Sequence, residues 1–213
     1  MAQYYPIMLN ITDKNCIVIG GGNIACRKVK SLLEYSARVT VISSNLCNEL
    51  ENLKYKIKWI SRNYEIGDLT NAYLVFAATD NQEVNKQISE EANKKGIPVN
   101  IADIPELCDF IVPSKVEQGD LTIAISTNGK SPALAKKVRI ELEEKYGSHY
   151  AEFLNIMSEV RQQSMQEIPD GEKREALYNE LVYSDILNNL RKGEVDLARK
   201  EVYNIFEKYK TER

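Results

Sequence analysis

The sequence predicts an α/β protein: a Rossmann-type parallel sheet, followed by a small α+β dimerisation segment and an α-helical C-terminal domain. Three observations predict it. Cys16-Ile17-Val18-Ile19 is a short apolar run that leads directly into Gly20-Gly21-Gly22-Asn23-Ile24-Ala25, the order G-x-G-x-x-A. Residues of helical period follow, which is how a buried parallel strand feeds a phosphate-binding turn and its helix. Short β-branched runs then alternate with helical stretches as far as about residue 103, and from Tyr150 onward the residues are helix formers. Alternation of this kind means a parallel sheet covered on both faces. The chain is divided at 1–112, 113–147 and 148–213.

In chain order, Tyr4 to Ile11 reads as a short outer strand interrupted by Pro6, and a polar turn at Thr12-Asp13-Lys14-Asn15 precedes the first central strand. In the glycine turn, Gly20 permits the sharp bend, Gly22 removes a Cβ that would block a pyrophosphate, and Ala25 allows close helix-on-strand packing. Ile24, Val29, Leu32 and Leu33 are spaced like one helical face. Arg38 to Ile42 is a second strand, Lys56 to Ser61 a third, and Tyr73 to Ala78 a strongly apolar fourth that ends at Thr79-Asp80. The helix Asn81 to Lys95 carries Val84, Ile88 and Ala92 inward and stops at Gly96, and a fifth strand, Pro98 to Ala102, ends at Asp103.

Ligands of such sheets bind beyond the carboxyl ends of the strands, where Gly20, Ser43, Thr79 and Asp103 would gather. The usual fingerprint places an acidic residue at the end of the second strand to hold the ribose hydroxyls. This chain offers Ser43, Ser44 and Asn45 instead, neutral groups that do not distinguish NAD from NADP.

The period then changes. Phe110 to Val116 and Leu121 to Ser126 read as a hairpin joined by Glu117-Gln118-Gly119-Asp120, and Ser131-Pro132 opens a helix that runs to about Tyr146. A hairpin plus a helix is a small core that buries its apolar face best against a second copy, so this segment predicts a homodimer. In the tail, Phe153, Ile156, Met157 and Val160 share a helical face, a break falls at Ile168-Pro169-Asp170-Gly171, and helices follow over Glu172 to Leu190 and Glu194 to Tyr209.

Composition excludes several classes. A net charge of −3 gives no general attraction to nucleic acid, and no apolar run approaches the ~20 residues that span a bilayer. The start, Met1 to Pro6, lacks a charged segment followed by an apolar core, so the cytoplasm is the expected compartment. Cys16, Cys26, Cys47 and Cys108 form no C-x-x-C pair and read as reduced small hydrophobes. The single histidine, His149, reads as a surface residue and argues against a His-rich metal site, so no metal ligands are assigned.

Asp103, following a buried strand at the ligand edge, could remove a proton while hydride passes to the cofactor; the alternative is that it caps the turn before Pro105. Asp80 is open in the same way, as a cofactor contact or as the cap of the helix at Asn81. Ser126-Thr127-Asn128-Gly129-Lys130-Ser131-Pro132 sets turn N–H groups beside Lys130, and Lys115, Lys130, Lys136, Lys137 and Arg139 outnumber Glu117 and Asp120 over residues 110–140. That excess favours an anionic ligand, or is a solvated helix face.

With these residues assembled, the chain resembles the family of precorrin-2 dehydrogenases, some of whose members are also sirohydrochlorin ferrochelatases, in sirohaem synthesis. The resemblance rests on Tyr5-Pro6-Ile7, Val18 to Gly22 with Arg27-Lys28, Ala77-Ala78-Thr79-Asp80 with Asn85, Val99-Asn100 through Asp103, Phe110 to Ser114, and Ala124 to Pro132, in the family's order. It implies NAD-dependent oxidation of precorrin-2 to sirohydrochlorin, a homodimer interlocked after the Rossmann domain, and a cleft aspartate that matches Asp103. It also implies cofactor contacts at the glycine turn, Asn23, Ile24, Ser43 and Ser44, and a hydroxyl-bearing loop near the substrate at Ser126-Thr127. A carboxylate-rich tetrapyrrole gives the basic excess a reason. The alternative readings are a bifunctional enzyme that also inserts ferrous iron and a non-catalytic NAD-sensing module.

Overall fold

In the computed structural model, which describes residues 3–211, the apolar run before the glycines is strand β1 (Asn15–Ile19). The helix α1 (Asn23–Glu34) returns the chain to β2 (Arg38–Ile42), parallel to β1 with Val18 opposite Val41. The short α2 (Asn48–Glu51) and a 3-10 turn lead to β3 (Lys58–Ile60). A long irregular segment reaches β4 (Leu74–Ala77), and α3 (Gln82–Lys95) connects it to β5 (Val99–Ile101). All five strands are parallel in the order β3-β2-β1-β4-β5. The chain therefore builds outward from β1 in one direction and then, from β4, in the other. The strand order reverses at the β1/β4 edge, where doubly wound sheets bind their ligands.

Side-chain alternation along β1 supplies two cores. Cys16 and Val18 pack with Ala25, Val29 and Leu32 of α1, while Ile17 and Ile19 pack with Ile88 and Ala92 of α3. Both faces of the strand are buried, as a central parallel strand requires. The buried stripe of α1 begins at Ala25, whereas Ile24 is exposed and does not share the inward face expected of it.

Residues 113–213 form a second compact unit, distinct from 1–112, and it contains both of the expected segments 113–147 and 148–213. Strands β6 (Ser114–Gln118) and β7 (Leu121–Ile125) make an antiparallel hairpin. Helix α4 (Pro132–Lys145) starts at Ser131, whose Oγ accepts the Leu134 N–H at 3.2 Å. The tail comprises α5 (His149–Glu167), α6 (Gly171–Tyr183), α7 (Ile186–Arg191) and α8 (Val195–Thr211) around Phe153, Ile156, Leu177, Leu181, Ile186 and Phe206. No described helix is long and apolar enough to cross a membrane.

Three expected elements differ. Tyr4 to Ile11 pairs with no strand: Pro6 lacks an N–H, and Tyr5, Ile7 and Met8 are exposed, leaving Ile11 as the anchor. Phe110 belongs to the first unit rather than to the hairpin. Its carbonyl accepts Asn100 Nδ2 at 2.9 Å and its ring meets Phe76 edge-on at 5.3 Å, so β6 begins only at Ser114, after Pro113, and turns through Gly119-Asp120. The helix expected over Glu172 to Leu190 is broken at Ser184, whose hydroxyl donates to the Leu181 carbonyl at 2.8 Å while Asp185 N–H donates to Glu201. Residues 1, 2, 212 and 213, at the ends of the expected outer domains and including the Met1-Ala2 start, lie outside the described residues.

Leu177 is fully buried at the centre of the helical core. Leu177→Ala should cost about 2–5 kcal/mol, read as a lower midpoint in urea. An unchanged midpoint would show that this site is not packed as described.

Candidate functional site

The site is built on the glycine turn after β1. Gly20 has φ 116°, a conformation that favours glycine, and a Cβ there would overlap the Ala78 carbonyl at the end of β4. Its N–H donates to the Ile42 carbonyl at 2.9 Å, so the turn is fastened to β2 as well. At Gly21 a Cβ would overlap the Asn45 carbonyl, and the Gly21 carbonyl accepts the Cys47 N–H at 2.7 Å. Gly22 is different. A Cβ added there meets nothing within 4 Å of protein, yet Gly22 lines an open cavity of about 620 Å³. It also caps α1 without a side chain, and the first turn of α1 contains no acidic residue. The first helical N–H groups thus face the approach to the cavity with a partial positive charge, a ready seat for phosphate.

Gly20, Gly22, Ser43, Ser44, Thr79 and Asp80 are brought together around this one cavity, over a floor of Ile19 and Ile42. Its volume suits a cofactor-sized ligand. Asn23 and Ile24 occupy the first turn of α1, beside Gly22 but off the lining. The hydroxyls of the rim are mostly committed to the protein. Ser43 Oγ donates to the Asn45 carbonyl at 2.7 Å, and Trp59 Nε1 donates to the Ser43 carbonyl at 3.0 Å. Thr79 Oγ1 donates to Asn85 Oδ1 at 2.8 Å, and Asn85 Nδ2 returns a bond to the Thr79 carbonyl at 3.1 Å. Asn85 is 3% exposed, so this reciprocal pair is what satisfies its buried amide.

The cap of α3 is Asn81, whose Oδ1 accepts from Glu83 and Val84 N–H at 3.0 and 3.1 Å. Asp80 is therefore not the cap; it stands exposed on the rim as the one charged residue of the lining. Asn45, named by sequence beside Ser43 and Ser44, also lines the cavity, as do Leu46, Cys47, Asn63 and Tyr64, which sequence did not place at the site. The available signal was position: Asn63 and Tyr64 follow β3 on the edge where such ligands bind.

Asp103 lies beyond β5 and outside this lining. It has φ 62° and is exposed, and no capping bond joins its side chain to the 3-10 turn Pro105–Leu107, whose N-cap is Ile104. Among the described residues its carboxylate has no partner. The turn-cap reading of Asp103 is thereby removed.

Ser126, Thr127, Asn128 and Lys130 belong to the β7–α4 loop of the second unit. The loop holds itself: Asn128 N–H donates to Ser126 Oγ at 3.0 Å and Ser131 N–H to Thr127 Oγ1 at 3.1 Å. Of the basic residues nearby, Lys115 pairs with Glu117, Lys137 with Glu141 and Arg139 with Glu143. Lys130 and Lys136 are left without an acidic partner among the described residues. His149 is half-buried at the start of α5 rather than on the open surface, where burial, then Arg191, pushes its pKa down; it lies far in sequence from the glycine turn and does not line its cavity. No described cluster of His, Cys, Asp and Glu could hold a metal ion.

Residues 7–114 match a family described as NAD(P)-binding. The chain belongs to that NAD(P)-binding family. Residues 118–145 match the family described as the central part of the sirohaem biosynthesis protein. The order of the two along the chain is the order that the resemblance implied. A siroheme synthase of Thioalkalivibrio sulfidiphilus (strain HL-EbGR7) is 35% identical over 207 residues, covering 96% of this chain and 42% of that protein. A siroheme synthase of Nitrosospira multiformis is 42% identical over 147 residues, 66% of this chain and 31% of that one. The chain thus spans less than half the length of these curated relatives. Among solved structures, one titled SirC, precorrin-2 dehydrogenase, superimposes with a TM-score of 0.79 at 25% identity, over 97% of this chain and all of that one.

The glycine floor gives the NAD(P)-binding assignment a sharp test. Gly22→Ala should fold as the wild type does, because its Cβ enters open cavity, yet bind NAD at least about tenfold more weakly. Gly20→Ala should lose thermal stability first, through its clash with Ala78. Equal NAD affinity in wild type and Gly22→Ala, by titration calorimetry, would move the pyrophosphate away from this turn.

Proposed function

We propose that this chain oxidises precorrin-2 to sirohydrochlorin with NAD, a step of sirohaem synthesis. The observation that carries the reading is the glycine-floored cavity at the strand-order reversal, in a chain that aligns end to end with a precorrin-2 dehydrogenase. The sirohaem-biosynthesis segment at 118–145 supports the same substrate class. Gly20, Gly22 and the α1 N-terminus with Asn23 and Ile24 would hold the pyrophosphate, Ser43 and Ser44 the ribose, and Thr79 and Asp80 the opposite rim. No lysine or arginine is among the lining residues to pair with a 2′-phosphate, which favours NAD over NADP.

When bound, NAD supplies the hydride acceptor. The tetrapyrrole gives up a hydride and a proton, and Asp103 takes the proton, as the exposed and unpartnered carboxylate held beyond β5. Ser126, Thr127, Asn128 and Lys130 bind substrate carboxylates, with Lys130 as the free cation of that loop. The cytoplasm, where NAD is available, is the compartment we assign to this chemistry.

A homodimer through residues 113–147 accompanies this reading. The hairpin and α4 bury only Val116 and Ala135 fully, while Leu134 and Ile140 remain 50% and 41% exposed. Replacing Leu134 and Ile140 together with Glu should convert the protein to a folded monomer in sedimentation velocity; a wild-type monomer would end the dimer assignment.

The decisive reaction is anaerobic: purified protein, fresh precorrin-2 and NAD without metal, following NADH and the sirohydrochlorin spectrum together. Both should rise in step. NAD binding without either product would favour a sensing module. Asp103→Ala should retain NAD affinity and lose turnover by about 10²-fold or more; near-normal turnover would remove Asp103 from the chemistry.

A further inference from the structure

Between β3 and β4 the chain runs through residues 61–73 without regular structure, a length at which loops usually carry a function. This loop is ordered by charge. Arg62 grips Asp68 with two bonds of 2.6 and 2.7 Å, and Asp68 also accepts the Glu65 N–H at 2.8 Å. Its other anchor comes from α3. Glu91 is 6% exposed, the one charged side chain fully buried among the described residues. A carboxylate there is tolerable only if its hydrogen bonds are satisfied. They are: it accepts the Tyr64 hydroxyl, the Gly67 N–H at 2.9 Å and the Leu69 N–H at 3.4 Å, and it pairs with Lys95 at 3.1 Å. Burial alone would raise its pKa, but these donors outweigh it and hold the carboxyl below its usual value.

Of those four partners, Gly67 and Leu69 are ordinary loop anchors, and Lys95 is one turn further along α3. Tyr64 differs, because it also lines the dinucleotide cavity. Its hydroxyl is turned to Glu91, which is no part of the lining, and its side chain packs against the core of Leu69 and Ile88, so the hydroxyl is not what Tyr64 would offer a ligand. Burial, reinforced by the Glu91 bond, raises the pKa of that phenol and keeps it neutral. The place of the ring in the sheet indicates what it would meet. Pyrophosphate sits at the turn after β1, and the ribose of the adenosine half sits at the end of β2. Tyr64 follows β3, the next strand outward, at the edge where the base must lie. Aromatic ring surface is suited to the flat face of a purine.

We propose that Glu91 is a positioning residue for the cofactor: by accepting the Tyr64 phenol it fixes that ring as the wall on which the adenine of the dinucleotide packs. The proposal rests on the NAD-binding reading of this cavity and adds a residue that never touches the ligand.

The test uses the full chain, with NAD and ADP-ribose as probes in equilibrium titrations, alongside steady-state kinetics and thermal melts. ADP-ribose retains the adenine end and lacks the nicotinamide. Tyr64→Phe keeps the ring and removes its tether, leaving Glu91 its bonds to Gly67, Leu69 and Lys95, so it should fold. Glu91→Gln and Tyr64→Phe should each weaken both probes by about 3- to 10-fold, the net worth of one ordinary hydrogen bond. The double variant should lose no more than Tyr64→Phe alone, because both substitutions act on the same link, which Glu91→Gln weakens and Tyr64→Phe removes. In Glu91→Gln the KM for NAD should rise while kcat is maintained. A merely structural role predicts a lower melting temperature with unchanged affinity for both probes, and that result overturns the proposal, as does full additivity in the double variant. Wild type that binds neither probe defeats the cofactor reading and this proposal together. Wild type that binds both but does not oxidise precorrin-2 defeats only the substrate assignment.

Discussion

The tight approach of Gly20 to the carbonyl of Ala78 is the constraint on which the first unit depends. It brings the ends of β1 and β4 together at the point where the strand order reverses, and any side chain at residue 20 would push them apart. The same turn is bonded to β2 through Ile42, so three strand ends converge on one glycine. The cavity is the consequence. Two neighbouring segments, the loop 43–47 and residues 79–84 at the start of α3, flank the turn, and the open side of Gly22 is left between them.

Around that cavity the protein satisfies its own polar groups and leaves the phosphate seat to the backbone. The lining has one charged residue, Asp80, while the cations of the second unit are largely neutralised along their own elements by Glu117, Glu141 and Glu143. Exposed pairs such as these contribute little stability; between residues 110 and 140 they leave Lys130 and Lys136 as the cations without an acidic partner among the described residues. In a chain with an overall negative charge this is a local positive excess, not a general one.

Local signals made the fold legible. β-Branched runs, the glycine order and the Ser131-Pro132 and Gly96 boundaries act within a few residues, and the strands and helices they announce are present. The misreadings occurred where a distant partner decides. Tyr4 to Ile11 has a strand-like composition but no neighbour to pair with, and Phe110 is drawn into the first core by Phe76 and Asn100. The candidate site was legible in the same proportion. Gly20, Gly22, Ser43 and Thr79 follow from strand ends, whereas Tyr64 and Glu91 are 27 positions apart and share no spacing rule. Asp80 shows a local limit, since Asp and Asn are nearly equivalent as caps and only geometry gave the role to Asn81.

The bonds that Ser43, Thr79 and Tyr64 make to the protein itself have a thermodynamic consequence. Their side chains and the loops that carry them have already surrendered their rotational freedom during folding, so an arriving dinucleotide orders little that was loose. Binding to such a preorganised rim should carry a small entropic penalty on the protein's side. What remains to be immobilised is the ligand, a flexible molecule whose extended shape is set by a mould rather than negotiated with one.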